Sequence, residues 1–359
     1  MMEGVLDRAL AQRIANAVSR GTAAAPSGDA LPGDLAAICT DARRRVVTYT
    51  GLRPGSPLPV PEAVQRVDWI AANVRSMGAL LDPIGERLAP DPDSGGLAEL
   101  IRGPARAAAG AMLSAEAGAL TGYLSQRVLG QFEFVIVDPL APARLLFVAP
   151  NIAAAAARLE VDVEELLTWI AFHEVTHAVQ FTAVPWLRPH LAELVDELLG
   201  SLDPTLDTRA LLRMPASDDV RAMVAGVREN GLMAMLGGGH RRELLERIQS
   251  VMGIVEGHAE HVMDVVGADV LPSLEHLRSA LDRRRHERPP LLALLERLIG
   301  LEAKLRQYED GKRFCDAVAA AAGPVALHTV FDGREQLPTV AELRDADAWM
   351  RRTGVLAAA

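Results

Sequence analysis

Aromatic residues make up only 4% of this 359-residue chain, yet 50% of it is hydrophobic and 23% charged. That balance describes a globular chain able to bury a real core and excludes a disordered or collagen-like one. Cysteine is nearly absent: Cys39 and Cys315 stand far apart, so neither a disulfide framework nor a CxxC metal knuckle is available, and a reducing compartment is expected. Positive charge is in deficit, with 37 Lys and Arg against 47 Asp and Glu and a formal net charge of -10. Counterion release from nucleic acid or an anionic membrane is therefore not a source of affinity. No long hydrophobic run exists: the most apolar region, Leu145 to Ala157, is broken by Pro150 and Asn151 and is shorter than the ~20 residues of a membrane span. The N-terminal stretch carries charges throughout, so no targeting segment is expected, the mature chain is expected to start near Met1, and the protein is expected to be soluble and cytoplasmic.

What is present is helical periodicity. Apolar residues recur at helical spacing, as in Val64, Val67, Ile70, Val74 and Met77, and predict a mainly helical chain. Pro54, Pro57, Pro59 and Pro61 forbid helix before Pro61, and the Pro- and Gly-rich stretch 82–96 ends the next helix. An Ala- and Gly-rich helix from about Leu97 to Gly130 follows, its small residues suited to close helix approach. Extended character appears only over Phe132 to Val148, where Phe134–Val137 and Leu145–Val148 flank a Pro-rich turn, predicting a β-hairpin. Further breaks fall at Gly237 to Gly239, at Arg283 to Arg285, read as an exposed helix terminus, and at Pro289-Pro290. Residues 1–130 form an N-terminal helical portion and 131–359 a metal-bearing portion, or the two make one continuous domain.

Chemistry concentrates after the hairpin. Asp162, with Glu165 three residues on, predicts a capped helix running to the neighbourhood of Pro185. On that helix His173 and His177 lie one turn apart, so both imidazoles project from one face and can reach one ion at about 2.0–2.1 Å. Glu174 between them completes an HExxH motif, in which it is the general base. The bland alternative is a hydrogen-bonded core histidine on an amphipathic stripe with Leu166 and Ile170.

A catalytic metal needs a third protein ligand and an open position for water. The segment Ile254 to Asp264 supplies candidates, because Glu256, Glu260 and Asp264 share one helix face, an arrangement that is costly unless a cation faces it. Glu256 is the preferred third ligand, with Glu260 one turn on as an acceptor for the ring N–H of a ligating histidine. His258, Glu260 and His261 stay open as rival ligands, and a solvated acidic face is the alternative to any of them.

The pair His173-Glu174-x-x-His177 and Glu256-Gly257-x-Ala259 resembles the gluzincin branch of zinc metallopeptidases, although 78 residues separate His177 from Glu256 here. More closely, the strings Leu124–Gln131, Phe172–Phe181, Val184–Arg188 and Glu256–Asp264 resemble an uncharacterised bacterial family of zincin-like hydrolases. Some of its members are labelled as associated with biosynthesis of the deazaflavin coenzyme. The resemblance implies a zincin-like fold, mainly α (α+β) with a small hairpin or sheet, and a Zn²⁺ cofactor. As tyrosines do in resembling peptidases, Tyr308 is a candidate phenol for a tetrahedral oxyanion, against a plain buried aromatic. Trp186 is expected to close the end of the His-bearing helix, and Cys315 to be core. The expected reaction is peptide-bond hydrolysis with Glu174 as base, the hairpin edge aligning an extended substrate. The alternatives are a hydrolase of a small non-peptide amide, and a non-catalytic scaffold in which a four-ligand metal staples two helices.

Overall fold

The computed structural model describes residues 6–20, 31, 33–87, 97–133, 141–201, 239–286 and 301–355. Among them the chain is mainly helical with one small sheet, and no helix is long and apolar enough to cross a membrane. The chain divides into two compact units, residues 1–41 with 59–175 and residues 42–58 with 176–359; the boundaries at 41/42 and 175/176 fall inside continuous helices and the one at 58/59 falls in the loop before the first strand.

In the first unit, α1 (Arg8–Arg20) begins at Asp7, whose Oδ1 accepts from the Leu10 N–H at 2.8 Å. Ala11, Ala15 and Ser19 form its buried stripe and face α4 (Leu97–Leu124). The small residues of α4 allow that contact: a Cβ on Gly118 would lie 2.4 Å from the Ala11 carbonyl, and one on Gly122 would lie 2.5 Å from that of Ala15. The helix ends at Leu124, short of the expected Gly130. Helix α2 (Leu35–Thr50) is shared between the units, and α3 (Arg66–Arg87) follows the first strand.

The sheet has the order β1-β3-β2, built from β1 (Pro61–Val64), β2 (Gly130–Glu133) and β3 (Arg144–Val148). β2 and β3 are antiparallel, with Gly130 opposite Phe147 and Glu133 opposite Arg144. The described pairing of the hairpin's first arm covers Gly130–Glu133, and the Phe134–Val137 run lies outside the described residues. β1 was not expected. It pairs parallel to β3, and its proline sits at the first residue of an edge strand, where no ladder N–H is lost. Leu145 to Val148 are at most 1% exposed, and Leu146 and Val148 join Trp69, Ile70 and Val74 in the core of this unit. β3 runs straight into α5 (Ala149–Leu159), opened by Pro150 and closed by Glu160 in the left-handed conformation.

α6 (Val163–Ala183) is the expected capped helix: Asp162 Oδ1 accepts from the N–H groups of Glu164 and Glu165 at 2.9 and 3.0 Å. Its last turns belong to the second unit, with α7 (Leu187–Ser201), α8 (Gly239–Gly267), α9 (Leu274–His286), α10 (Leu301–Ala322), α11 (Thr329–Asp332) and α12 (Ala346–Thr353). Trp186 follows the helix as expected and is fixed by donating to the Phe331 carbonyl at 3.0 Å. α8 and α10 pack backbone to backbone through glycine: a Cβ on Gly311 would fall 1.9 Å from the Gly253 carbonyl oxygen, and one on Gly257 would fall 2.2 Å from the Gly311 carbonyl carbon. Cys315 is fully buried in the α10 core, where desolvation raises its thiol pKa. The side chains of Arg283 to Arg285 lie outside the described residues.

Candidate metal centre

The geometry starts from one helix. His173 and His177 occupy successive turns of α6, so their spacing is set by the helix itself. Glu256, on α8, brings a carboxylate to the same place: one donor atom from each of His173, His177 and Glu256 lies within 4.8 Å of the others. Glu256 Oε2 stands 3.5 Å from His177 Nε2. Two ligands held about 2.0–2.1 Å from one tetrahedral ion are about 3.3–3.4 Å apart, so this separation fits a shared metal. His177 is 8% exposed while His173 and Glu256 are only half-buried, which leaves solvent a way to the centre.

The tautomer of His177 is fixed by Gln180. Its amide oxygen lies 3.0 Å from His177 Nδ1, so that nitrogen carries the hydrogen and Nε2 presents a lone pair towards Glu256. Gln180 cannot turn over, because its amide nitrogen donates to the Val255 carbonyl at 3.0 Å and to His258 Nδ1 at 2.9 Å. Gln180 itself is completely buried. A side chain that orients a ligating imidazole through its second nitrogen also raises its basicity as a ligand. Gln180 was not singled out from sequence, although it stands three residues past His177, one turn along the same face, flanked by fully buried Ala178 and Val179.

Glu174 is 7% exposed, and its Oε2 accepts from the Phe132 N–H of edge strand β2 at 2.7 Å. Gly130 leaves room for it: a Cβ there would come within 2.7 Å of Glu174 Cγ and 2.8 Å of Ile170 Cγ2. β2 is held from the other side by α3. Asn73 and Gln131 exchange amide hydrogen bonds at 3.1 and 3.2 Å, and the Ser76 hydroxyl donates to Glu133. The turn leading into β2 is held by buried Asn151, which donates to the Ser125 and Val128 carbonyls and accepts from Arg66 Nε.

The other residues of the acidic segment have different partners. His258 is buried against Phe331, ring centroids 5.0 Å apart, and desolvation, with His261, His177 and His328 nearby, pushes its pKa down to about 3. His261 Nε2 lies 2.7 Å from the Tyr49 hydroxyl, and its Nδ1 lies 2.7 Å from Asp316 Oδ1. Asp264 takes its cations from the protein, bonding Arg278 Nε at 2.6 Å and Lys312 Nζ at 3.1 Å. The acidic stripe therefore does need positive charge, but at Asp264 that charge comes from side chains. Glu260 is 8% exposed, one turn beyond Glu256. Among the described residues no fourth His, Cys, Asp or Glu joins the cluster, and of the four third-ligand candidates the geometry brings in Glu256. Tyr308 lies on α10 with its side chain outside the described residues.

A centre of two imidazoles and a carboxylate beside a buried glutamate, raised on a helix next to a small sheet, defines the zincin class of metal proteins. The chain belongs to the zincin-like metallopeptidase family, which it matches over residues 6–350. Among solved structures it is similar to a putative hydrolase with a novel fold from Chloroflexus aurantiacus, at 28% identity and a TM-score of 0.67, covering 97% of this chain and 99% of that one. No curated protein matches.

Proposed function

We propose that this chain is a zinc-dependent metallopeptidase. The observation that carries the proposal is the convergence of His173, His177 and Glu256 within 4.8 Å, beside a Glu174 anchored to an edge strand. Two neutral nitrogens and one carboxylate suit Zn²⁺, though the same donor set accepts other divalent ions. Bound there, zinc supplies a Lewis acid and a water that ionises near neutral pH.

The chain's own groups do the rest. His177, oriented by Gln180, directs Nε2 inward, and Glu256 completes the three-sided cage. Glu174, held by the Phe132 N–H, takes a proton from the attacking water as its oxygen bonds the carbonyl carbon. As the C–N bond breaks, Glu174 returns that proton to the leaving nitrogen. β2 is an edge strand and is suited to align an extended peptide.

Hydrolysis of a compact amide is a second reading with its own support. The Phe132 N–H of that edge is already bonded to Glu174, and a small substrate has no need of it. The scaffold alternative needs a fourth protein ligand, for instance His258 or His261; His261 has both ring nitrogens engaged elsewhere, and His258 Nδ1 lies 2.9 Å from the Gln180 amide nitrogen.

Metal analysis combined with cleavage of a diverse peptide library tests the proposal. Wild type is expected to bind one zinc and cleave peptides, while Glu174→Gln keeps the zinc and loses about 10²–10⁴-fold in turnover. Equal turnover in both would remove Glu174 as base. Cleavage confined to short amides would favour the second reading.

A further inference from the structure

Helix α3 grips the strand that anchors Glu174, through side chains the mechanism above does not use. All the groups concerned lie in the first unit. Asn73 Nδ2 donates to Gln131 Oε1 at 3.2 Å, and Gln131 Nε2 donates back to Asn73 Oδ1 at 3.1 Å. Three residues on along α3, the Ser76 hydroxyl donates to buried Glu133. Gln131 and Glu133 flank Phe132, whose N–H meets Glu174 Oε2 at 2.7 Å. The pleat sorts these contacts, because side chains two apart share a face of the strand. Gln131 and Glu133 turn to α3, while a Cβ on Gly130 would turn to Glu174 and Ile170 of α6.

The amide pair has one orientation. Asn73 Nδ2 also donates to the Trp69 carbonyl of its own helix at 2.9 Å, so Asn73 cannot turn over and its Oδ1 is left to accept from Gln131. Adhesion between α3 and the sheet does not call for polar groups here, since Trp69, Ile70 and Val74 already share a core with Leu146 and Val148. What apolar contact does not supply is register. β2 is four residues long, lies at the edge of the sheet and opens with a glycine, so pairing with β3 alone specifies its position weakly. A slip of one residue would turn Gln131 and Glu133 to α6 and Phe132 to α3, and would take the Phe132 N–H away from Glu174.

We infer that Asn73 and Ser76 are positioning residues for Glu174. Acting through Gln131 and Glu133, they hold β2 at the one register and height where the Phe132 N–H meets the carboxylate. The inference rests on the metallohydrolase reading above and extends the site to α3. A base has to stand within about 0.5 Å of its productive position, and its support has to be equally firm. The reciprocal amide bonds provide that firmness: at 3.1 and 3.2 Å, a drift of about 1 Å carries both beyond hydrogen-bonding reach.

Asn73→Ala, Gln131→Ala, the double variant and the milder Ser76→Ala, each loaded with zinc, test this. The readouts are kinetics on a peptide that wild type cleaves, zinc competition with a chromophoric chelator, and the Phe132 amide proton resonance in protein labelled with ¹⁵N-phenylalanine. Asn73→Ala and Gln131→Ala are each expected to lower kcat about 10–10²-fold, the cost of a base misplaced by about 1 Å. KM should stay within a few-fold, because a peptide aligned on β2 moves with the strand, and zinc affinity should stay within a few-fold as well. The double variant should fall no further than either single one, since the two amides act as one device. Melting temperatures should drop by only about 2–4 °C, too little for loss of fold to account for the loss of turnover. The Phe132 amide proton, held downfield by its bond to a carboxylate, should move in Asn73→Ala and Gln131→Ala towards its position in Glu174→Ala, and less far in Ser76→Ala. Unchanged kcat, losses that multiply in the double variant, loss of zinc in parallel with kcat, or a Phe132 resonance that keeps its wild-type position would each overturn the inference. If zinc-loaded wild type hydrolyses no amide at all, the function proposed above fails by itself, and the Phe132 resonance alone decides whether α3 sets the Glu174 contact.

Discussion

Replacing Gln180 by Met keeps the length and volume of the side chain and removes every hydrogen bond it makes. In the wild-type chain the amide bonds His177 Nδ1, the Val255 carbonyl and His258 Nδ1. The Val255 carbonyl lies inside a helix and keeps its ladder partner, so two buried ring nitrogens are orphaned. At about 1–3 kcal/mol for each buried group left unsatisfied, the cost is about 2–6 kcal/mol, with the lower half favoured by local repacking. The effect on the metal is separate: an imidazole that loses its orienting partner loses about 10–100-fold in metal affinity, or about 1.4–2.7 kcal/mol. Gln180→Glu divides the two effects. It still accepts from His177 Nδ1–H but no longer donates to Val255 or His258, so it should recover most of the zinc affinity and little of the stability. Zinc binding is read by competition with a chromophoric chelator, and stability by denaturant unfolding of the metal-free protein. A Gln180→Met variant that binds zinc as wild type does would refute the claim that Gln180 sets the His177 tautomer.

Three further outcomes follow from the same geometry. Gly130→Ala puts a methyl group 2.7 Å from Glu174 Cγ, so turnover should fall tenfold or more as the base is displaced, with zinc content unchanged by elemental analysis. Gly311→Ala drives a Cβ to 1.9 Å from the Gly253 backbone oxygen, which cannot step aside as a side-chain tip can. Unfolding should show a loss of about 1–3 kcal/mol or more, together with weakened zinc binding as Glu256 moves with α8. Burial works against ionisation of Asp316, but hydrogen bonds from His261 and Lys312 outweigh it and bring its pKa down from 3.8 to about 2. A carboxylate depressed in the folded state stabilises above its unfolded pKa, so this contribution is complete above about pH 4 and is lost as pH falls through about 2. Wild type and Asp316→Asn should therefore differ in stability at pH 5–7 and converge near pH 2 in a pH series of melts, and a constant difference across the series would count against it.

Local signals made half of the fold legible and left the other half out of view. The α6 cap at Asp162, the period that aligns His173 with His177 and the small-residue face of α4 are all written within a few residues of one another. Strand β1 is not: four residues opened by a proline carry no periodicity of their own, and they become a strand only because β3, 84 residues on, offers a parallel edge. The hairpin was visible as extended character, yet its register depends on which residues of Gly130–Glu133 meet Arg144–Val148, a choice made by α3 and Glu174 gripping β2 from outside the hairpin.

The centre shows the same division. Glu256 was readable because acidic residues flanked by Val and Ile must answer to positive charge, but that reasoning does not say which acid meets the metal and which meets an arginine. The answer lies in the helix contacts. Gly253, Gly257 and Gly311 let α8 and α10 touch by backbone, so the α8 face that turns to α10 takes Asp264 to Lys312 and His261 to Asp316. Glu256 stands about 80° around the helix from Asp264 and is left to face the histidines of α6. The glycine after Glu256 thus has a physical role in the motif. It allows the close crossing that sorts one stripe of carboxylates into a metal ligand on one side and ion-paired supports on the other. A larger residue at Gly257 should disturb both sides together.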